Sequence, residues 1–427
     1  MNIIKSIYIK GLWGDERCEI EFPLDQNFNF LIGQNGTGKT TIINLIAAAL
    51  NADFEKLDKI QFLKVLIKLQ EIKGKKNPTI EILKNQKEGL PYYDIEYRIK
   101  RSSKDDAQIF DLDAVAEEQF YRGIPPRMLR EKVIRERFLD IRRQLSELVN
   151  LCWLSIHRNN NLSINEEHKK NLSPIDYKLL ELNNSFTRYF SQLNRKYGEH
   201  TLEFQKKVFL SLLTVNESRI KEFTKGINTE TEKEDLASVF DLLGVEQNKY
   251  KQSLNIFVEK VQKAQSALEN KTFDLTDFAV LYNAQKTHAL VQYYEDLEKS
   301  KAEIFEPRDT FLSVVNELFD GRKVIGISER NDITVKTRDG KSIDLEDLSS
   351  GEKQLLIILG EALIQDKRSM IFIADEPELS LHIKWQEKLT SSISRLNPNA
   401  QIIFATHSPD IVSIYSNKVI NMEALLS

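Results

Sequence analysis

Hydrophobic and polar residues alternate along the chain in two textures. Ile3, Ile7 and Ile9 mark an extended run, Gly11-Leu12-Trp13-Gly14 turns it into a second run at Cys18–Phe22, and a third, Phe28–Ile32, ends on Gly33. After a glycine-rich turn, Thr40–Leu50 predicts a helix whose apolar residues and alanines point to burial on more than one face. Between Phe62 and Arg101, β-rich segments (Thr79–Leu83 and Tyr92–Ile99) alternate with lysine-rich turns, the pattern of an antiparallel flank. Arg127–Asn150, after the Pro125-Pro126 stop, predicts a charged helix, and Leu151–Ile156 a short strand. From about residue 165 to 305, Lys, Glu, Gln, Asn and Leu dominate. There Leu254, Phe257, Val261, Ala264 and Leu268 recur at 3-4-3-4 spacing, the seam of a short coiled coil. Thr272–Asp277 is the expected turn, and Leu290, Tyr294 and Leu297 fit a returning helix. From Val324 the first texture resumes, with a hairpin around Asp339-Gly340, a helix after Leu348, and strands at Met370–Ala374 and Gln401–Ala405. Strand–helix alternation of this kind implies an α/β domain with helices on the faces of its sheet. Its two lobes, residues 1–160 and 311–427, are separated by a helical, partly coiled-coil insertion over 161–310.

Composition narrows the class without naming it. Of 427 residues, 41% are hydrophobic and 29% charged, which excludes wholesale disorder and collagen-like chains. The apolar run Ile42–Leu50 is far too short for a bilayer span, and Met1–Lys5 does not begin a secretory leader, so a cytoplasmic protein without membrane association is expected. Cys18 and Cys152 lack metal-ligand spacing and read as reduced thiols. A net charge of −4 confines any nucleic-acid contact to a local patch. The stretch Arg127–Arg143, with seven basic and three acidic residues, is the best candidate for one.

Three motifs carry chemistry. Gly33-Gln34-Asn35-Gly36-Thr37-Gly38-Lys39-Thr40 fits G-x-x-x-x-G-K-[ST] in full, between an apolar strand and a helix. Its backbone N–H groups, from Gly33, Asn35, Gly36, Thr37 and Gly38 on to Thr41, suit phosphate oxygens at a helix N-terminus. Lys39 suits the β- and γ-phosphates of ATP, and the Thr40 hydroxyl suits Mg²⁺. Met370–Glu376 is a buried strand ending in two carboxylates: Asp375 is the candidate Mg²⁺ ligand and Glu376 the candidate general base. Leu348-Ser349-Ser350-Gly351-Glu352 opens a helix; Ser349 and Glu352 have capping-box spacing, and the same helix start is a candidate anion site.

In chain order, the phosphate loop, Leu-Ser-Ser-Gly-Glu, Asp375-Glu376-Pro377 and Ala405-Thr406-His407-Ser408 resemble the ABC-class P-loop ATPases. The wording of Leu348–Leu356, Asp375–His382 and Ala405–Val412 is similar to the OLD-like and Rad50/SMC-like branch. Leu151–Arg158 resembles the strand before the helical insertion in ATPases of bacterial anti-phage systems such as PARIS and Septu. The resemblance implies ATP sandwiched between two copies of the chain. Ser349, Gly351 and Glu352 would serve the γ-phosphate bound by the opposite subunit, Glu378-Leu379-Ser380 would cross the seam, and His407 would be the catalytic switch. Ser350 stands where many relatives have glycine. The glutamine that completes the Mg²⁺ shell in relatives has three candidates here, Gln108, Gln119 and Gln144, with Arg158 as a substitute.

With the sequence ending at Ser427, no C-terminal TOPRIM nuclease domain is expected, and the six histidines form no HNH pattern. The function this implies is an ATP-hydrolysing sensor or scaffold in an anti-phage complex. It would form a homodimer or higher homo-oligomer through the ATP sandwich and the helical arm, and would hold a separate effector, a TOPRIM-like or HNH-like nuclease. The alternative is a Rad50/SMC or recombination-mediator ATPase that binds DNA, although the insertion is short for such arms. A transporter subunit fits the Glu-Leu-Ser-Leu-His wording poorly.

Overall fold

The computed structural model describes residues 1–72, 74–86, 93–111, 139–154, 173–213 and 229–426. They fall into two compact units, Met1–Thr187 with Pro307–Ser427, and Arg188–Glu306.

The first unit opens with β1 (Asn2–Lys10), β2 (Glu19–Pro23) and β3 (Phe28–Ile32), then α1 (Lys39–Asn51) and α2 (Phe54–Lys59). Next come β4 (Lys64–Glu71), β5 (Thr79–Gln86), β6 (Tyr93–Lys100), β7 (Gln108–Asp111) and β8 (Leu151–Leu154). The long helix α3 (Pro174–Leu213) enters the second unit, which holds α4 (Thr229–Leu242) and α5 (Gln247–Glu269); α6 (Leu275–Phe319) leads out. The returning part comprises β9 (Lys323–Ile327), β10 (Ile333–Thr337), β11 (Ser342–Ile343), α7 (Ser350–Ile364) and β12 (Met370–Asp375). It closes with α8 (Ile383–Leu396), β13 (Ala400–Ala405), α9 (Pro409–Val412), β14 (Val419–Asn421) and α10 (Met422–Leu426).

Both ends of the chain meet in one five-stranded sheet of order β14-β3-β13-β12-β8, parallel throughout. The antiparallel flank anticipated from the lysine-rich turns is a separate six-stranded sheet of order β2-β1-β4-β5-β6-β7. Ile42, Ile43, Leu45 and Ile46 of α1 share one apolar core with Ile4, Ile7 and Ile9 of β1 and with Ile371, Ile373 and Ile403 of the parallel sheet. Burial around the whole circumference is why α1 reads as alanine-rich and non-amphipathic.

Gln401 is the polar exception in β13 and is fully buried. β2 pairs with β1 only from Ser6 onward. Upstream of that end, Gln401 accepts from Ile4 N (2.8 Å) and donates to Ile4 O (2.7 Å) and Asp25 O (2.8 Å). One amide thus joins β1 to the last quarter of the chain. Gln401→Leu strands the Ile4 N–H and C=O without partners. The expected cost is about 1–3 kcal/mol for each group, read as a lower denaturation midpoint at unchanged slope.

In the second unit the coiled-coil seam is modified. Leu254, Val261 and Ala264 are buried as expected, but Tyr250 and Val258 join them, while Phe257 and Leu268 are half-buried. The reason is a third helix: Leu236 of α4 covers Tyr250, Leu254 and Val258, which widens the apolar face of α5 beyond a two-helix seam. Leu281, Ala284 and Val291 of α6 complete the packing, and Leu290 is half-buried beside them.

Of the charged segment Arg127–Asn150, residues 139–148 are helical, and the rest of its basic stripe (127–138) lies outside the described residues. Arg142 donates to Asn51 O at the end of α1 (3.1 Å), so part of the stripe serves as a helix cap. Both cysteines are free. No helix among the described residues is long and apolar enough to cross a membrane.

Candidate nucleotide site

The phosphate loop begins where β3 ends. Thr37 Oγ1 donates to Gln34 O (2.9 Å), closing the loop on itself. Gly38, in the left-handed region (φ 83), caps α1, and a Cβ there would lie 2.2 Å from the Trp13 ring. Glycine is therefore required twice at Gly38, for the turn and for the indole beside it. Trp13 is 44% exposed and sits in the Gly11–Gly14 turn that sequence reading treated as a connector. An exposed indole against the loop is a platform for a planar base.

Lys39 is 5% exposed, and its Nζ donates to Gly33 O (2.8 Å) and Gln34 O (3.0 Å). Burial pulls its ammonium below the usual lysine range, against the charges of Glu376, Asp375, Glu378 and Glu423. Glu423 of α10 accepts from Gln34 N (3.1 Å), so the C-terminal segment also buttresses the loop.

Thr40 Oγ1 donates to Asp375 Oδ1 at 3.1 Å, joining two motifs 335 residues apart. These are two hard oxygen donors, the type that Mg²⁺ takes alongside phosphate and water oxygens. No group of three or more His, Cys, Asp or Glu able to hold a metal is gathered among the described residues. Thr41 lies in the first turn of α1, behind Lys39 and Thr40.

Beyond β12 the chain turns through Glu376 in the left-handed region (φ 48), and Glu376 N donates to Ala405 O (2.8 Å). A left-handed glutamate is a costly conformation, of the kind that persists where its side chain is aimed for use. A cleft of about 620 Å³ is lined by Asn35 of the loop tip, Glu376, Glu378 and exposed His407. The phosphate-loop tip, Glu376, Glu378 and His407 therefore face one space.

Glu378 is the residue whose role sequence reading missed here. Beyond any place at a seam, its Oε1 accepts from Thr406 Oγ1 (2.7 Å), His407 N (2.8 Å) and Ser408 N (3.2 Å). A third carboxylate so close to the acidic pair was the available signal.

Ser349 caps α7 in a complete capping box, its N–H and hydroxyl both donating to Glu352 Oε2 (2.8 Å each). Burial opposes the charge on Glu352, but Lys323 (2.8 Å) and the Ser349 donors outweigh it and hold the carboxyl below its usual range. Glu352 and both Ser349 donors are thus committed to the helix start, and a ligand contact by this motif falls to the Ser350 and Gly351 N–H groups or requires Ser349 to leave the capping box. Gly351 has a separate constraint, since a Cβ would stand 2.3 Å from Ser380 O. Gln354 Nε2 donates to Pro377 O (2.9 Å). The first turn of α7 is consequently fastened to the 376–381 loop of its own subunit. Gly351→Ala is expected to displace that loop, costing about 1–3 kcal/mol of stability. It should lower ATP turnover while leaving nucleotide affinity in place, which a thermal melt and a nucleotide titration would check.

Of the candidate Mg²⁺-shell glutamines, Gln144 accepts from Arg101 and Gln108 is an exposed residue of β7. Gln119 and Arg158 lie outside the described residues.

Comparison with known proteins identifies the family. The retron Vc95 probable ATPase of Vibrio cholerae serotype O1 biovar El Tor is 26% identical over 186 residues, 41% of this chain and 35% of that protein. The Septu protein PtuA of Bacillus thuringiensis is 37% identical over 99 residues, 20% of this chain and 24% of that protein. The matches thus span about a third and a quarter of those relatives' lengths. Among solved structures, the Smc head domain of Pyrococcus furiosus bound to the C-terminal domain of ScpA aligns at 15% identity and TM-score 0.44, covering 97% of this chain and 92% of that one. The AAA ATPase domain family matches residues 2–412, nearly the whole chain and every motif described above: the protein belongs to that family.

Proposed function

We propose that the chain hydrolyses ATP in a site completed by a second copy of itself, and that it is the sensor or scaffold subunit of a bacterial anti-phage complex holding a separate effector. The observation that carries the catalytic part is the Thr40–Asp375 hydrogen bond, because it brings the phosphate-loop helix and the acidic strand to one point. Thr40 and Asp375 are the residues that would hold Mg²⁺, which when bound neutralises phosphate charge. Lys39 and the loop N–H groups bind the phosphates, Trp13 receives the base, and Glu376 takes a proton from the attacking water.

Dimerisation enters because the Ser349–Gly351 helix start is fastened to the 376–381 loop, which leaves its remaining donors to a neighbouring copy's phosphates. The defence role is supported by the Septu and retron relatives, each matched over part of its length.

Subunit mixing tests the shared site. A Lys39→Ala chain and a Ser349→Arg chain, each inactive alone, recover ATPase activity together if the pocket is shared, and stay inactive if it is not. Co-expression with the neighbouring gene tests the effector: a second polypeptide that co-purifies supports the scaffold reading, and a homo-oligomer alone defeats it. Salt-sensitive, ATP-stimulated duplex binding by the isolated chain would favour a DNA-maintenance ATPase instead.

A further inference from the structure

The loop carrying His407 is held by one carboxylate from the loop after the acidic pair. Glu378 Oε1 accepts from Thr406 Oγ1, His407 N and Ser408 N at 2.7, 2.8 and 3.2 Å. Around it, Ser408 Oγ donates to Gln386 Oε1 (2.7 Å), and Gln386 Nε2 returns to Leu381 O (2.8 Å). Glu376 N–H closes the circuit on Ala405 O at 2.8 Å. Segments 376–381 and 405–408 therefore form one hydrogen-bonded body.

Holding a three-residue turn does not need a charge. A serine or asparagine does it at lower desolvation cost. Here the second oxygen, Glu378 Oε2, is enclosed without a hydrogen-bond partner among the described residues. Such a group costs stability, and its retention beside a reaction site calls for a role there. The clamp grips the His407 backbone and leaves the imidazole exposed at the cleft that Glu376 and Asn35 line.

We infer that Glu378 is a positioning residue. By fixing the main chain at Thr406–Ser408 it sets where the His407 ring stands relative to Glu376, so that the histidine and the base move as one body. The inference rests on the proposed hydrolytic reading of the cleft. It adds that Glu378 acts through His407 and not through the nucleotide.

The test uses the full chain and ATP with Mg²⁺. Glu378→Ala should lower kcat by about ten- to 100-fold, the scale of a catalytic group misplaced by an ångström or so, with nucleotide affinity kept within about threefold. Glu378→Gln, which retains an oxygen acceptor, should recover part of that loss. In a His407→Ala background, Glu378→Ala should cause little further loss, because the group it positions is gone. Amide exchange at His407 and Ser408, whose N–H groups Glu378 accepts, should quicken in Glu378→Ala whether or not nucleotide is present. Wild-type turnover in Glu378→Ala, full multiplication of the two losses, a parallel collapse of affinity, or unchanged exchange would each overturn the inference. A wild-type chain that binds ATP without hydrolysing it would instead sink the hydrolytic reading, and exchange at His407 and Ser408 would still decide whether Glu378 holds the loop.

Discussion

Lys39→Ala is expected to reduce ATP affinity by roughly 100-fold or more, on the scale of one lost charged hydrogen-bonding group, and to leave no measurable turnover. The ammonium is the one cation of the phosphate loop. It is nearly enclosed, 5% exposed, and lies within reach of the charges of Asp375, Glu376, Glu378 and Glu423. Without it those carboxylates face an incoming polyphosphate with no side-chain cation of the loop between them, leaving backbone dipoles and the metal alone to oppose the repulsion that adds to the lost contact. The fold should survive, because α1 is held by its apolar residues and not by Lys39. The lost donors to Gly33 O and Gln34 O loosen only the loop, whose carbonyls lie near solvent. Titration with a fluorescent ATP analogue beside a thermal melt separates the two effects. A variant that binds ATP like the wild type would show that phosphate recognition lies elsewhere.

The parts of the site that could be read from sequence are those whose chemistry is local. The phosphate loop, the Ser349 capping box and the strand running into Asp375 each occupy fewer than ten consecutive residues, and each forms as its spacing dictates. The meeting of the two chain ends followed from needing both the lysine and the acidic pair in one pocket. What remained hidden is non-local. Trp13 touches Gly38 only because the β1–β2 connection folds over the loop, and nothing in Gly-Leu-Trp-Gly says where the indole goes. Glu378 looks like one more surface acid until the 405–408 turn arrives against it. Gln401 gave a faint sign, a polar residue within Ala-Gln-Ile-Ile-Phe-Ala, but its partner Ile4 is 397 positions away. In the insertion, heptad spacing alone chose Phe257 over Val258, because the covering helix α4 could not be foreseen from α5 itself.

Glu376→Gln is expected to bind ATP at least as well as the wild type while losing about 100- to 10,000-fold in turnover, the range for removing a general base. The substitution keeps the side chain's size and the backbone that aims it. The left-handed turn at φ 48 is held by Glu376 N on Ala405 O, a main-chain bond indifferent to the side chain. It also removes one of the negative charges facing Lys39, so the loop becomes more favourable to polyphosphate. Since bound ATP would hold two copies together and hydrolysis would release them, a variant that binds without turning over should accumulate as a dimer or larger assembly. Light scattering with ATP and Mg²⁺ should show that species, and it should vanish in a Lys39→Ala/Glu376→Gln double variant, where no nucleotide bridges the seam. If Glu376→Gln hydrolyses ATP at the wild-type rate, the proton goes to another group. His407 and Glu378 line the same cleft and would be the next to replace.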